Sequence, residues 1–222
     1  MNHSPWMLTA SGKTYYLGGV GMAHNEYVAS DIAHALAQIN RYNGHAKRPY
    51  SVAEHSLVCA DIAKHLGLPP VVQLACLMHD AHEAYTGDCT SPAKQALGPA
   101  WAAFERSHSS PLRRWFGLST TFLTNRAAIH QIDLMALATE RRDLMRWEPG
   151  TSEPWDVIDT PGSIVPPADW INLARLSRQH TDWTQWRDDW LYHFHTLRAR
   201  VNDQAASIPR HTDTTEAPHH GN

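Results

Sequence analysis

The chain has 222 residues, of which 42% are hydrophobic and 18% charged, and its formal net charge is −3. This composition favours one well-packed domain, and the weak negative charge lacks the basic footprint of a nucleic-acid-binding protein. No segment is long and apolar enough to span a membrane. Three cysteines without zinc or redox spacing, and no secretory leader, predict a cytoplasmic protein.

In chain order, residues 1–28 predict an N-terminal arm, in which Thr14–Leu17 is a short strand or an extended segment. Apolar residues at helical spacing then predict helices near 30–41, 51–66, 70–86, 93–97, 100–114 and 126–146. Ser30 is a candidate N-cap, and Ser51–Glu54 has the form of a capping box. The prediction is an all-α fold without a sheet, with a helical core at residues 29–148.

The C-terminal part differs in composition from this core. Five prolines within residues 149–167 predict an ordered loop rather than a helix. Apolar residues at helical spacing follow it, namely Trp183, Trp186, Trp190, Phe194, Leu197 and Val201. This stripe is either a platform on which bases stack or, as we favour, the packing face of a helix. Residues 149–204 should therefore pack on the core, and residues 205–222, which include His219 and His220, predict a disordered tail.

The adjacent residues His79 and Asp80 are the strongest functional signal. They follow a run of apolar residues, so the segment from Val71 to Tyr85 predicts a buried helix. An imidazole and a carboxylate in such a helix need a compensating partner, and a divalent cation is the simplest one. Glu83 follows one helical turn later and should face the same pocket.

Two further residues complete a candidate metal site. His55 lies one turn into the second predicted helix, and Asp133 lies in a later, largely apolar one. Together with His79 and Asp80 they would supply two nitrogen and two oxygen ligands. Such a shell suits a first-row ion with open positions for water and substrate, and it is a poor match for a structural zinc site.

At residues 30–146 the chain resembles the HD-domain phosphohydrolases, in particular the bacterial 5′-deoxynucleotidases and the phage dATP triphosphohydrolases. The matching stretches are Ile39–Tyr42, Ser51–Ser56, His79–Asp88, Ser91–Lys94 and Asp133–Glu140. The run from His79 to Asp88, followed by Ser-Pro-Ala-Lys, is the most specific of them.

This resemblance implies a role for each matching position. The metal ligands would be His55, His79, Asp80 and Asp133, which would hold one divalent transition metal ion (Mn²⁺, Co²⁺, Fe²⁺, Ni²⁺ or Zn²⁺); a second ion, Mg²⁺, would accompany the phosphates. The catalytic residues would be Glu83, which activates the attacking water, and Asp88, which also lies near the deoxyribose 3′-hydroxyl. The other substrate contacts would be Arg41 and Lys94 on the phosphates and Tyr42, in place of the usual Trp, near the sugar or base.

Each of these substrate contacts also has a structural alternative. Arg41 could cap the end of its helix, Lys94 could be a solvated surface residue, and Asp88 could be a turn residue after Gly87. Gly44 stands where the phage enzymes have a bulky aliphatic residue that excludes guanine. Its lack of bulk leaves strict selection of adenine open.

The sequence therefore predicts a metal-dependent phosphohydrolase of purine 2′-deoxynucleotides, with conversion of dATP to deoxyadenosine and triphosphate as the favoured reaction. The alternatives are a 5′-deoxynucleotidase that acts on dNMPs and, less favoured, a non-catalytic nucleotide-binding regulator. Two cations, Arg41 and Lys94, are few for three phosphates, so a triphosphate enzyme should need a further cation. As the resembled proteins form homo-oligomers, we expect one here, with a deoxynucleotide substrate and no nucleic-acid or membrane partner.

Overall fold

The computed structural model describes residues 4–207 and has an all-α fold, as predicted, with one small sheet. Strands β1 (Trp6–Leu8) and β2 (Thr14–Tyr16) pair antiparallel, so the prediction of no sheet was wrong for this segment. Tyr15 on β2 is buried and stacks on Tyr85, with 3.9 Å between the ring centroids. This contact anchors the hairpin to the helical core.

Two 3₁₀ turns, Val20–His24 and Arg41–Gly44, lie outside the α-helices. In chain order they are α1 (Ala29–Leu36), α2 (Val52–His65), α3 (Pro70–Leu77), α4 (Glu83–Thr86), α5 (Ser91–Leu97), α6 (Pro99–Trp115), α7 (Ser119–Thr124), α8 (Arg126–Leu144), α9 (Asp156–Asp159), α10 (Leu176–Gln179) and α11 (Trp183–Ala206).

Helix α3 lies at the centre and packs against α2, α8 and α11. Its residues Leu74 and Leu77 are fully buried, as is Trp190 of α11. The tryptophan stripe of α11 thus belongs to the core, which leaves its innermost ring inaccessible to a stacked base. Burying such large apolar side chains is the main source of stability in this region.

The sequence predicted the start of α2 more accurately than the ends of α1. Helix α1 starts after Val28 rather than at a Ser30 cap, and it ends at Leu36 because the chain then forms a bridge between Asn40 and Ser51. Helix α2 begins as predicted, since the Ser51 side chain accepts a 3.1 Å hydrogen bond from the Glu54 backbone N–H.

The proline-rich segment is ordered and lies on α8. It contains the short helix α9, and Ile158 and Val165 are buried in a small cluster with Ala138 of α8. Helix α11 continues to Ala206, and the rest of the predicted tail, at 208–222 with His219 and His220, lies outside the described residues. Within residues 4–207, no helix combines the length and apolar character needed to cross a bilayer.

Candidate metal centre

Four side chains converge at one point: His55 on α2, His79 and Asp80 in the turn after α3, and Asp133 on α8. His55 Nε2 lies 3.2 Å from His79 Nε2 and 3.3 Å from Asp133 Oδ1. Asp80 Oδ2 lies 3.0 Å from His79 Nε2 and 3.6 Å from His55 Nε2. Neighbouring ligands of one ion at bond lengths of roughly 2.0–2.2 Å stand roughly 2.8–3.6 Å apart. The four donor atoms therefore have the spacing of a metal coordination shell.

Hydrogen bonds at the opposite ring nitrogens orient both histidines. His55 Nδ1 lies 2.6 Å from Glu140 Oε1, and His79 Nδ1 lies 2.7 Å from the carbonyl oxygen of Cys76. Both partners accept, so each Nδ1 donates its proton and each neutral ring directs the lone pair of Nε2 into the cluster. Two lone pairs that face each other across 3.2 Å require a cation or a proton between them.

The carboxylates set the electrostatics of this cluster. Burial disfavours the charged form of His79, but Asp80 and Asp133 outweigh this effect and raise the His79 pKa well above its ordinary value. Burial likewise opposes ionisation of Asp80, yet His79 and His55 lower its pKa overall. Without a cation the two carboxylates thus favour the protonated form of His79, and a metal ion displaces that proton when it binds.

The fully buried Glu140 on α8 contacts the His55 ring on the side that faces away from the cluster. Its carboxylate accepts hydrogen bonds from His55, from the Tyr50 hydroxyl at 3.0 Å and from the Tyr42 hydroxyl, and it lies 3.2 Å from Arg41 Nη2. Burial raises its pKa, but Arg41 and His55 dominate and lower it to about 2. Glu140 is thus an ionised group that fixes the His55 tautomer. Sequence reasoning missed this role, although the residue ends one of the stretches that match the HD-domain enzymes.

Cys59 is a second neighbour that the sequence analysis did not single out. It lies one turn after His55 on α2, with Sγ 3.6 Å from His55 Nε2. Burial and the nearby Asp133 raise the pKa of this thiol well above its ordinary value. The ligand atoms of His55, Cys59, His79 and Asp133 all lie within 4.8 Å of one another, so Cys59 is a further candidate donor beside Asp80.

His79 and Asp80 do not lie inside a continuous helix, and that prediction was wrong. Helix α3 ends at Leu77, and the turn from Met78 to His82 leads into α4. The backbone N–H of Glu83 bonds to the Asp80 carbonyl at 2.9 Å, three residues back instead of four. The tighter turn follows the end of α3 and leaves the two ligands on one side of the chain.

Glu83 is the first residue of α4 and is buried next to the cluster. Burial, Asp80 and Asp88 together raise its pKa well above the ordinary value. Its Oε2 atom is buried without a hydrogen-bond partner among the described residues, and Lys94 Nζ lies 3.8 Å from Oε1. Asp88 follows in the loop before α5, and burial raises its pKa as well. Glu83 therefore has an acceptor atom free for a further group.

Arg41 and Tyr42 lie beside the cluster on the 3₁₀ turn before α2. Arg41 Nη1 is 3.7 Å from Asp80 Oδ2, so this side chain is tied to a candidate metal ligand and does not cap α1. Tyr42 and Asn43 both have positive φ angles, 58° and 49°, which are rare for residues with a Cβ atom. This strained turn places the Tyr42 ring against Trp155.

Gly44 and Lys94 have different surroundings. Gly44 is exposed, and an added Cβ atom would meet no other atom within 4 Å, although its φ of 80° would strain any larger residue. Lys94 Nζ lies 2.7 Å from Glu105 Oε1, and this contact outweighs burial and raises the lysine pKa to about 12. Lys94 is therefore a partly buried cation and not a solvated surface residue.

A cavity of about 1030 Å³ opens at the cluster and is lined by His79, Asp80 and Asp133. Its other walls come from α5, α6, α7 and α8. They contribute an excess of cationic side chains, namely Lys94, Arg106, Arg113, Arg114 and Arg126. Sequence reasoning missed the four arginines, because their common cavity depends on how α6 and α8 pack. Of the predicted catalytic and substrate-binding residues, Lys94 lines this cavity, whereas the others do not, namely Arg41, Tyr42, Gly44, Glu83 and Asp88.

Comparison with known proteins identifies relatives but no described activity. The chain matches no family model. It is 37% identical over 92 residues, 40% of this chain and 47% of the relative, to an uncharacterized protein of Rhodobacter capsulatus. It is 33% identical over 172 residues, 78% of this chain and 86% of the relative, to the uncharacterized protein YfdR of Escherichia coli (strain K12). The chain therefore belongs to the family of YfdR.

Proposed function

We propose that this chain is a metal-dependent phosphohydrolase of purine 2′-deoxynucleotides, related to the HD-domain enzymes, and that it converts dATP and water to deoxyadenosine and triphosphate. The observation that supports it most is the convergence of His55, His79, Asp80 and Asp133 at the edge of a large cavity, where each carboxylate lies 3.0–3.7 Å from both histidine Nε2 atoms. A buried acid, Glu83, and a buried cation, Arg41, adjoin the same point.

The donor set fits one divalent transition ion. Two imidazole nitrogens and two carboxylate oxygens suit Mn²⁺, Co²⁺, Fe²⁺, Ni²⁺ or Zn²⁺, and the cavity leaves room for water and substrate. When bound, such an ion supplies Lewis acidity toward phosphate oxygens and water. The proposal includes a second ion, Mg²⁺, that enters with the phosphates.

The side chains then have separate tasks. Glu83 accepts a proton from the attacking water through its unpartnered carboxylate oxygen. The water oxygen bonds to the α-phosphorus, the bond from phosphorus to O5′ breaks, and O5′ takes up a proton. Arg41 and Lys94 stabilise the phosphate oxygens with fixed positive charge, and Asp88 faces the sugar.

Product analysis by chromatography tests the proposal. The protein, loaded separately with Mn²⁺, Co²⁺ or Mg²⁺, is incubated with each dNTP, each dNMP and ATP. Deoxyadenosine released from dATP without dADP or dAMP supports the triphosphohydrolase, and the dGTP reaction reports what the bare Gly44 position admits. Phosphate released only from dNMPs identifies a 5′-deoxynucleotidase instead. No turnover with any nucleotide favours a binding regulator.

The proposal also includes a homo-oligomer, whose mass in solution is measurable by light scattering. A monomeric mass in an active preparation removes that part of the proposal without affecting the rest.

A further inference from the structure

The two phosphate-binding cations predicted from the sequence are both already paired within the protein. Arg41 contacts Glu140 and Asp80, and Lys94 contacts Glu105. Each pair reduces the charge that the cation can offer to a ligand. A substrate with several phosphates needs positive charge from elsewhere in the cavity.

Arg113 of α6 offers such charge. Its guanidinium lies 4.1 Å from the centre of the Phe122 ring, which holds the side chain against the cavity wall. Its Nε atom is buried without a hydrogen-bond partner among the described residues. Burial lowers the Arg113 pKa, Asp80 and Glu105 act in the opposite direction, and Arg126 lowers it further, so these charges lie within range of one another.

Arg126, the first residue of α8, lines the same cavity. Within residues 4–207, neither Arg113 nor Arg126 forms an ion pair with a carboxylate. Two cations of like charge that face one cavity repel each other unless an anion lies between them. Guanidinium groups also match phosphate oxygens in a bidentate geometry.

We infer that Arg113 and Arg126 form a subsite for the terminal phosphates of a nucleoside 5′-triphosphate, beyond the α-phosphate held at the metal centre. This inference rests on the proposed function, because it assigns the triphosphate end of the same substrate. It also supplies the further cations that a triphosphate enzyme requires and that a monophosphate enzyme does not.

The test measures binding separately from turnover. Isothermal titration calorimetry without added metal compares inorganic triphosphate with inorganic phosphate on the full chain. Arg113→Gln and Arg126→Gln should each weaken triphosphate binding by roughly tenfold, and should raise the KM for dATP by a similar factor, since each loses a charge-assisted contact. Phosphate binding should change little. Arg200→Gln, at an exposed position on α11, is the matched control.

The outcomes separate the two proposals. If Arg113→Gln and Arg126→Gln bind triphosphate as well as Arg200→Gln does, the subsite is wrong, even when dATP is hydrolysed. If they bind triphosphate weakly but the wild-type protein hydrolyses no nucleotide, the subsite stands and the proposed function is wrong. Arg113→Lys retains the charge and should restore part of the binding. If Arg113→Gln does not fold, Arg126→Gln alone decides the test.

Discussion

Two fully buried carboxylates, Glu54 and Glu140, contact different kinds of partner. Glu54 pairs with Arg48 at 2.7 and 2.8 Å and with Arg178 at 2.8 Å, so arginines neutralise its charge. Glu140 also pairs with an arginine, Arg41, but in addition it accepts a hydrogen bond from His55, the next residue after Glu54 on α2.

The difference teaches how a buried charge signals function. The Glu54 cluster joins α2 to α10, and the side chains that contact the Glu54 carboxylate are arginines. The Glu140 cluster fixes a histidine whose other nitrogen meets three further donors. Buried charge is thus common to structural and functional sites. Several electron-pair donors that converge on one point are typical of functional sites alone.

The largest effect is expected for Asp80, a candidate ligand in the cluster that contains the His55–Glu140 hydrogen bond. Asp80→Ala should abolish stoichiometric metal binding and lower dATP hydrolysis by roughly 10³-fold or more, because it removes a ligand from an ion that supplies several kcal/mol of transition-state stabilisation. Metal content by atomic emission and initial rates measure both. Asp61→Ala, an exposed acid on α2, is the control. A variant that keeps its metal would remove Asp80 from the ligand set.

Glu83 separates chemistry from metal binding. Glu83→Gln should retain the metal and lower turnover by roughly 10²–10⁴-fold, since it preserves shape but removes the proton acceptor. The same two measurements apply. Turnover close to that of the wild type would contradict its role as base, and loss of the metal would make it a ligand.

Exchange of each buried carboxylate for its amide sharpens the comparison directly. Glu140→Gln should weaken metal binding by roughly 10–100-fold through loss of the His55 orientation. Glu54→Gln should instead lower the free energy of unfolding by roughly 3–5 kcal/mol, because it leaves buried arginines uncompensated. Metal titration and urea denaturation of both variants measure this. Similar losses of metal affinity in the two folded variants would remove the distinction.

The smallest effect concerns Glu105, a partly exposed carboxylate at the cavity wall. The His82 ring, with Nε2 3.3 Å away, and the hydrogen bond from Lys94 lower its pKa to about 2, below its ordinary value of 4.5. A depressed pKa adds stability above pH 4.5 that is lost as the pH falls toward 2. Glu105→Gln should remove about 1–2 kcal/mol of that pH dependence after allowance for solvent screening. Urea denaturation at pH 3 and pH 6 gives the value; an unchanged pH profile would contradict the assignment.

Local signals predicted much of the fold. The Ser51 cap, the apolar run before His79 and the spacing of the α11 tryptophans all act over a few residues and are visible in the sequence. The missed features depend on tertiary contacts. The bridge from Asn40 to Ser51 ends α1 early, and the stacking of Tyr15 on Tyr85 stabilises a hairpin with little local signal.

The candidate site divides in the same way. His55, His79, Asp80 and Asp133 stand out because polar residues in apolar helices are costly, and the structure brings them together. Glu140 ends a mixed helix segment, and Arg113 lies in a polar one, where charged residues are ordinary. Only the packing of the helices shows that Glu140 is buried next to His55 and that Arg113 lines the cavity.

The hydrogen bond from His55 to Glu140 joins residues 85 positions apart in the chain. Because His55 lies on α2 and Asp133 lies on α8, an ion bound by both side chains would cross-link these helices, and it would do so only in the native state. By mass action, metal at 100 times its dissociation constant would add about 2.7 kcal/mol to the stability of the whole chain. The melting temperature thus offers a way to rank candidate metals before any substrate is known.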